Sequence, residues 1–221
     1  MDSRGDSLSR ALIHQHEAFK KLLDGRLLNA TVINPDGRVL DIGTGCGIWA
    51  AEFAAEHPIA EVLGIDVFPQ PTIAAPDNCR WVKMDAEQDW EMGEAKFDVI
   101  HIRLVPFHAK EIPMVLRRCF EHLNPGGCIE VQDSWPPYRV DASSGALEHE
   151  SAVIRWSQRR LEAAYKIGVD HSMPGQLPEA LSTAGFVKVL AQDYKWPIGP
   201  VCYFLFMCFL PWSYLRGFNR E

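Results

Sequence analysis

The stretch Val39-Leu40-Asp41-Ile42-Gly43-Thr44-Gly45-Cys46-Gly47-Ile48-Trp49 decides the fold. It reads as a short buried strand ending in a carboxylate, then glycines at alternate positions, then the first turn of a helix over 48–56. Glycine lets the backbone turn sharply at a strand end while a ligand lies directly against it. The helix that follows offers unpaired N–H groups at its start. A dinucleotide fold wants G-x-G-x-x-G, which needs glycine at 48, where this chain has Ile48. No Lys-Ser/Thr pair follows, so a phosphate-cradling P-loop is excluded as well. The turn therefore suits a nucleoside without a pyrophosphate, of which S-adenosylmethionine is the common one. A tight strand-to-helix turn with no ligand is the competing reading.

The next strands weigh against that competing reading. Ala60-Glu61-Val62-Leu63-Gly64-Ile65-Asp66 is a second strand that again ends in an acid. Asp66 lies about 20 residues beyond the glycines, where α/β nucleotide folds place a carboxylate that accepts both ribose hydroxyls. A helix-capping aspartate is the plainer alternative. The proline-rich segment 69–76 makes the crossover extended or a single turn. A third strand over 79–84 runs into Asp85-Ala86-Glu87, whose carboxylate can accept from an adenine amine while Ala86 offers a small surface and a backbone N–H. A fourth strand over 96–103, a helix over 110–123, a turn at Asn124-Pro125-Gly126-Gly127 and a fifth strand over 128–133 complete an alternation of strand and helix. That alternation means a parallel sheet with right-handed crossovers and ligands at the carboxyl ends of the strands.

Upstream, Leu8, Leu12, Phe19 and Leu23 fall on one helical stripe, with Gly25 as a ready cap, in an N-terminal helical segment over 1–36. The main domain then runs 37–221. Within it a helical stretch from Gly145 to Lys166 predicts a lid over about 135–172, followed by a helix to Ala184 and a sixth strand over 185–190. The 221 residues make one domain able to bury roughly 70% of its unfolded surface. A formal net charge of −7 argues against a nucleic-acid backbone as the main partner. The six cysteines show no C-x-x-C and no matching histidine spacing, so a zinc site is not expected and free thiols are. The most apolar run, 201–210, is shorter than the roughly 20 residues a bilayer needs. Together these features predict a soluble protein of the cytoplasm or nucleus, without a membrane span.

Leu-Asp-Ile-Gly-Thr-Gly at 40–45, Ile-Asp at 65–66, Asp-Ala-Glu at 85–87, Phe-Asp-Val-Ile-His at 97–101 and Leu-Asn-Pro-Gly-Gly at 123–127 resemble, in order, the motifs of class I S-adenosylmethionine-dependent methyltransferases. Gln15-His16, Leu22-Leu23-Asp24-Gly25-Arg26-Leu27, Gly47-Ile48-Trp49 and His101-Ile102-Arg103 look like the LaeA-like methyltransferases of filamentous fungi, many linked to secondary metabolism. The resemblance spans about residues 8–199. It implies an α/β Rossmann-like sheet in the order 3-2-1-4-5-7-6 with the last strand antiparallel and helices on both faces. It also implies that Gly43, Gly45 and Gly47 border the methionine part of the cofactor and Asp41 helps hold its amino group. Asp66 would take the ribose hydroxyls, and Asp85 with Ala86 the adenine.

Members of that family usually continue for several tens of residues after the segment matching Trp196-Pro197-Ile198-Gly199. Here the run from Val201 to Trp212 is either a seventh strand reached by a hairpin through 197–200 or an aberrant end exposing a hydrophobic tail. Its continuous apolar character lacks the alternation of a sheet-edge strand and favours the second reading.

Methyl transfer is an in-line displacement at a sulfonium, so alignment supplies most of the acceleration and catalytic residues are few. His101 is the candidate base or orienting partner for an O–H or N–H acceptor, and Arg103 the candidate for an anionic group of the substrate. Against these stand a structural histidine at 101 and an ion pair of Arg103 with Asp98 or Glu130. Trp135, Tyr138 and Trp156 form either an acceptor pocket or part of the core. The leading reading is methyl transfer to a small-molecule or protein acceptor. The others are a non-catalytic, cofactor-binding partner of a regulatory protein, and a cofactor-dependent cyclase or dehydratase on the same fold.

Overall fold

The computed structural model describes residues 3–32, 34–71, 73–90, 92–93, 96–108, 110–134, 139–140, 152–169, 175–198 and 208–218. Their elements run α1 (Ser3–Leu22), β1 (Arg38–Ile42), α2 (Ile48–Glu56), β2 (Glu61–Asp66), β3 (Cys79–Lys83), β4 (Phe97–Arg103), α3 (Ile112–Glu121), β5 (Leu123–Ser134), β6 (Arg139–Val140), α4 (Ala152–Lys166), α5 (Leu177–Ala184), β7 (Val187–Ile198) and β8 (Cys208–Phe218). Strands β3-β2-β1-β4-β5 lie side by side in that order and are all parallel. β8 then pairs antiparallel with both β5 and β7, so β7 runs in the same direction as β5. β6 adds a two-residue pairing to β8 at Phe209 and Cys208.

The sequence-predicted order 3-2-1-4-5-7-6 is therefore the order found, with Cys208–Phe218 as the seventh strand of that scheme. The expectation that favoured an unpaired hydrophobic tail is corrected on this point, since the backbone over 208–218 is hydrogen-bonded on both edges. The alternation argument failed because it belongs to edge strands. A strand with a neighbour on each side has no free edge, so the edge-strand argument does not apply to it. The connecting residues 199–207 lie outside the described residues.

The central strands alternate sharply between two faces. Leu40, Ile42, Ile100, Ile102, Ile129 and Val131 point to one side and pack with Ile112, Val115, Leu116 and Cys119 of α3 and Leu177 and Leu181 of α5. Val39, Val62 and Val99 point to the other and pack with Trp49, Ala50, Phe53 and Ala54 of α2. Full burial of each such aliphatic side chain contributes about 1.5–3 kcal/mol, so both layers are held by hydrocarbon near the strand centres. α1 ends in a left-handed turn at Asp24 and Gly25 and buries Phe19 and Leu23. Leu8, expected on the same packed stripe, is exposed, while Ser9 beside it is buried. No helix among the described residues is long and apolar enough to cross a membrane.

Candidate functional site

The glycine turn is folded back across the end of β2. Gly43 and Thr44 both donate their N–H to the Ile65 carbonyl, at 2.8 and 3.0 Å. Gly43 and Gly47 have φ of +74° and +80°, in the left-handed region. A Cβ at Gly43 would lie 2.3 Å from Val105 Cγ2, and one at Gly47 2.6 Å from Trp81 Nε1. Both positions thus exclude a side chain on backbone and on space grounds. Gly45 donates to Asp66 Oδ2 at 2.9 Å and Phe68 donates to Asp66 Oδ1 at 2.8 Å. Each oxygen of the half-buried Asp66 carboxylate keeps a further lone pair for a ligand donor.

One strand further out, Asp85 Oδ1 accepts from the Glu87 N–H at 2.9 Å. The buried Ala86 accepts at its carbonyl from Trp90 Nε1 at 3.0 Å. Glu87 holds His108 through both its backbone N–H and its Nδ1. Asp41, Asp66 and Asp85 thus end three neighbouring parallel strands at the same edge of the sheet.

The face of the sheet toward α1 and α2 turns polar at that same edge. Asp41 and His101 sit opposite each other in register, both buried, with His101 Nδ1 2.7 Å from Asp41 Oδ1. The imidazole stacks on Trp49 with ring centres 3.8 Å apart and planes 5° apart. Burial lowers its pKa, against the raising effect of Asp41, so the ring is neutral and donates from Nδ1. Among the described residues, Asp41 Oδ2 and His101 Nε2 are buried without a hydrogen-bond partner.

Arg103 follows on the same face. It does not pair with Asp98, which accepts from the Arg38 N–H, nor with Glu130, which accepts from Asn29 and Ala30. It donates instead to His16 Nδ1 at 3.0 Å and lies over the Phe19 ring at 5.0 Å. Burial lowers Arg103 to about 10. His16 is wholly buried, and burial followed by the Arg103 charge lowers its pKa. Its Nε2 is 3.1 Å from Glu52 Oε2, which also accepts from Lys20 at 2.7 Å. Burial works to raise Glu52, but the hydrogen bonds from Lys20 and His16 bring it below the ordinary carboxylate value.

His16, Glu17 and Glu52 place ligand-type atoms within 4.8 Å of one another. Lys20 and Arg103 flank that group and offset the negative charge a metal ion would need.

A cavity of about 50 Å³ opens beneath the turn, lined by Asp41, Gly43, Gly45, His101 and Arg103 and closed by Leu12 and Gln15 of α1. The sequence reading brought Asp41, the glycines, His101 and Arg103 to one place. It assigned no role to Gln15, His16 or Glu52. The signal was available: His16 stands four residues after Leu12 and three before Phe19, on the apolar stripe of α1. Of the expected acceptor pocket, Trp156 is exposed with Arg160 over its ring, and Trp135 and Tyr138 lie outside the described residues.

A protein-family model described as a methyltransferase domain matches residues 14–190. Methyltransferase pytC of Aspergillus terreus is 33% identical over 186 residues, covering 83% of this chain and 56% of the relative. Two Emericella nidulans sequences, named protein-methionine methyltransferase laeA and secondary metabolism regulator laeA, are each 34% identical over 169 residues, covering 75% of this chain and 44% of theirs. The chain thus spans about half the length of these curated relatives. Human N-acetylserotonin methyltransferase, solved in complex with SAM, shares the fold, with a TM-score of 0.58 at 15% identity over 97% of this chain and 55% of that one. The turn, the three strand-end acids and the sheet order lie within a chain that belongs to the methyltransferase-domain family.

Proposed function

We propose that the chain binds S-adenosylmethionine at the glycine turn and transfers its methyl group to a small-molecule acceptor in fungal secondary metabolism. The observation that carries this reading is the strand-end geometry: Asp66 tied to the Gly45 N–H, with Asp41 holding a buried, unpartnered oxygen beside it. An unpaired buried carboxylate oxygen is costly unless a ligand donor meets it. In this reading Asp41 accepts from the cofactor ammonium, Asp66 from the ribose hydroxyls and Asp85 from the adenine amine. Gly43, Gly45 and Gly47 let the ligand lie against the backbone, and Ala86 gives the adenine a flat, small neighbour.

S-Adenosylmethionine when bound supplies an electrophilic methyl group on a sulfonium. The protein's part is then alignment and exclusion of water. His101, expected from sequence as a base or an orienting partner, holds the Asp41 carboxylate by its Nδ1–H, with the ring stacked on Trp49. Its contribution is orientation. The N-terminal segment over 1–36 is assigned to covering the site through Leu12 and Gln15, while residues 135–138, 141–151 and 170–172 of the expected lid over about 135–172 lie outside the described residues. The expected compartment is cytoplasm or nucleus.

A second reading is favoured by the relative named a secondary metabolism regulator: a cofactor-binding partner of another protein, without turnover. Incubation with S-adenosylmethionine carrying a labelled methyl group and a fungal small-molecule extract separates the two. Label in an extracted product supports methyl transfer. Cofactor binding with no labelled product, and label-free capture of a protein partner, supports the second.

A further inference from the structure

We propose that Arg103 binds the carboxylate of the cofactor's amino-acid end, with His16 of α1 as the residue that positions it; this rests on the reading of the glycine turn as an S-adenosylmethionine site. The amino-acid end of that ligand carries an ammonium and a carboxylate side by side, so its pocket needs an acid and a base. The cavity beneath the turn is lined by both, Asp41 and Arg103. Asp41 Oδ2 is buried and unpartnered. Among the described residues Arg103 hydrogen-bonds only to His16, and a guanidinium has five N–H donors in a fork shaped for carboxylate. No protein carboxylate forms an ion pair with it among the described residues. The depressed pKa of Arg103 has the sign of a cation desolvated without a contacting anion.

The position of the guanidinium is set by a chain whose proton directions are determined. Arginine cannot accept a hydrogen bond, so His16 Nδ1 must be the acceptor and His16 Nε2 must carry the proton that goes to Glu52. Lys20 holds the other side of Glu52. His16 is thereby neutral. Its protonation would set an N–H against the Arg103 N–H and release the guanidinium. The charged groups facing it are Glu17 and Lys20 on α1, Glu52 on α2, and Arg103 on β4.

The test is calorimetric titration of the full chain with two ligands: S-adenosylhomocysteine, which keeps the amino-acid end, and 5′-methylthioadenosine, which lacks it. Arg103→Gln is expected to weaken S-adenosylhomocysteine by about tenfold or more and leave methylthioadenosine unchanged, with Arg103→Lys in between. His16→Asn, whose amide oxygen takes the Nδ1 place, should bind S-adenosylhomocysteine better than His16→Ala. Wild-type affinity for S-adenosylhomocysteine should hold at neutral pH and fall once the pH drops below the ordinary histidine value, and His16→Asn should flatten that fall. Equal binding of S-adenosylhomocysteine by wild type and Arg103→Gln, or equal loss of both ligands in the folded variant, overturns the assignment. Wild type that binds neither ligand overturns the underlying cofactor reading itself.

Discussion

Leu40 and Asp41 are neighbours in β1, both buried, and they do opposite things. Leu40 enters the layer of α3 and α5 together with Ile42, Ile100 and Ile102, where every contact is hydrocarbon. Asp41 enters the layer of α1 and α2, where two hydrogen-bonded pairs, Asp41 with His101 and Arg103 with His16, lie near the glycine turn. One face of the strands holds the fold and the other carries the site. The strand's two-residue period keeps these tasks on alternate positions, so stability and ligand binding should respond to different residues of one strand.

The largest expected separation comes from truncating the apolar face. Leu40→Ala should cost about 2–5 kcal/mol of stability, read by chemical denaturation, while the protein that remains folded keeps its affinity for S-adenosylhomocysteine. Asp41→Asn should invert that pattern. The amide still accepts from His101, so the denaturation midpoint moves little, but the ammonium loses a charged acceptor and affinity drops by about tenfold. If both substitutions moved stability and affinity together, the two faces would not be functionally distinct.

A smaller effect is expected with pH. His16 and His101 both have pKa values below the ordinary histidine value in the folded state. Such groups bind fewer protons folded than unfolded, so their stabilisation is complete above the unfolded value and is lost as pH falls from there to the lower folded value. Asp133, which burial raises to about 7, acts in the opposite direction over part of the same window. The clean readout is therefore the difference between wild type and His16→Asn at about pH 7.5 and 5.5. Wild type should lose more stability on acidification than the variant. Least of all, Lys20→Ala should cost at most about 1 kcal/mol, because its pair with Glu52 is part-exposed. A larger loss would mean that Lys20 supports the polar group as a whole.

How much of this was legible follows from the range of each interaction. The turn from Asp41 to Ile48 is written locally, in glycine spacing and in the strand and helix that flank it, and so are the acids that end β2 and β3. The parallel sheet followed from the alternation of elements, and its strand order from the family resemblance. Three features were not local. The place of 208–218 between β5 and β7 depends on which strands flank it, which an apolar run does not state. The partner of Arg103 is 87 residues away on α1, whereas the acids considered from sequence, Asp98 and Glu130, are committed to backbone N–H groups. His101 was recognised as near the site, but only the structure shows it stacked on Trp49 with Nδ1 against Asp41.

The most direct measurement of the central claim is calorimetric titration of S-adenosylmethionine into wild type and Asp66→Ala. The account predicts one-to-one binding by wild type and a loss of about 1.5–3 kcal/mol in Asp66→Ala, the size of hydrogen bonds to a charged acceptor. Wild type that binds no S-adenosylmethionine, or Asp66→Ala that binds it equally well, would contradict it.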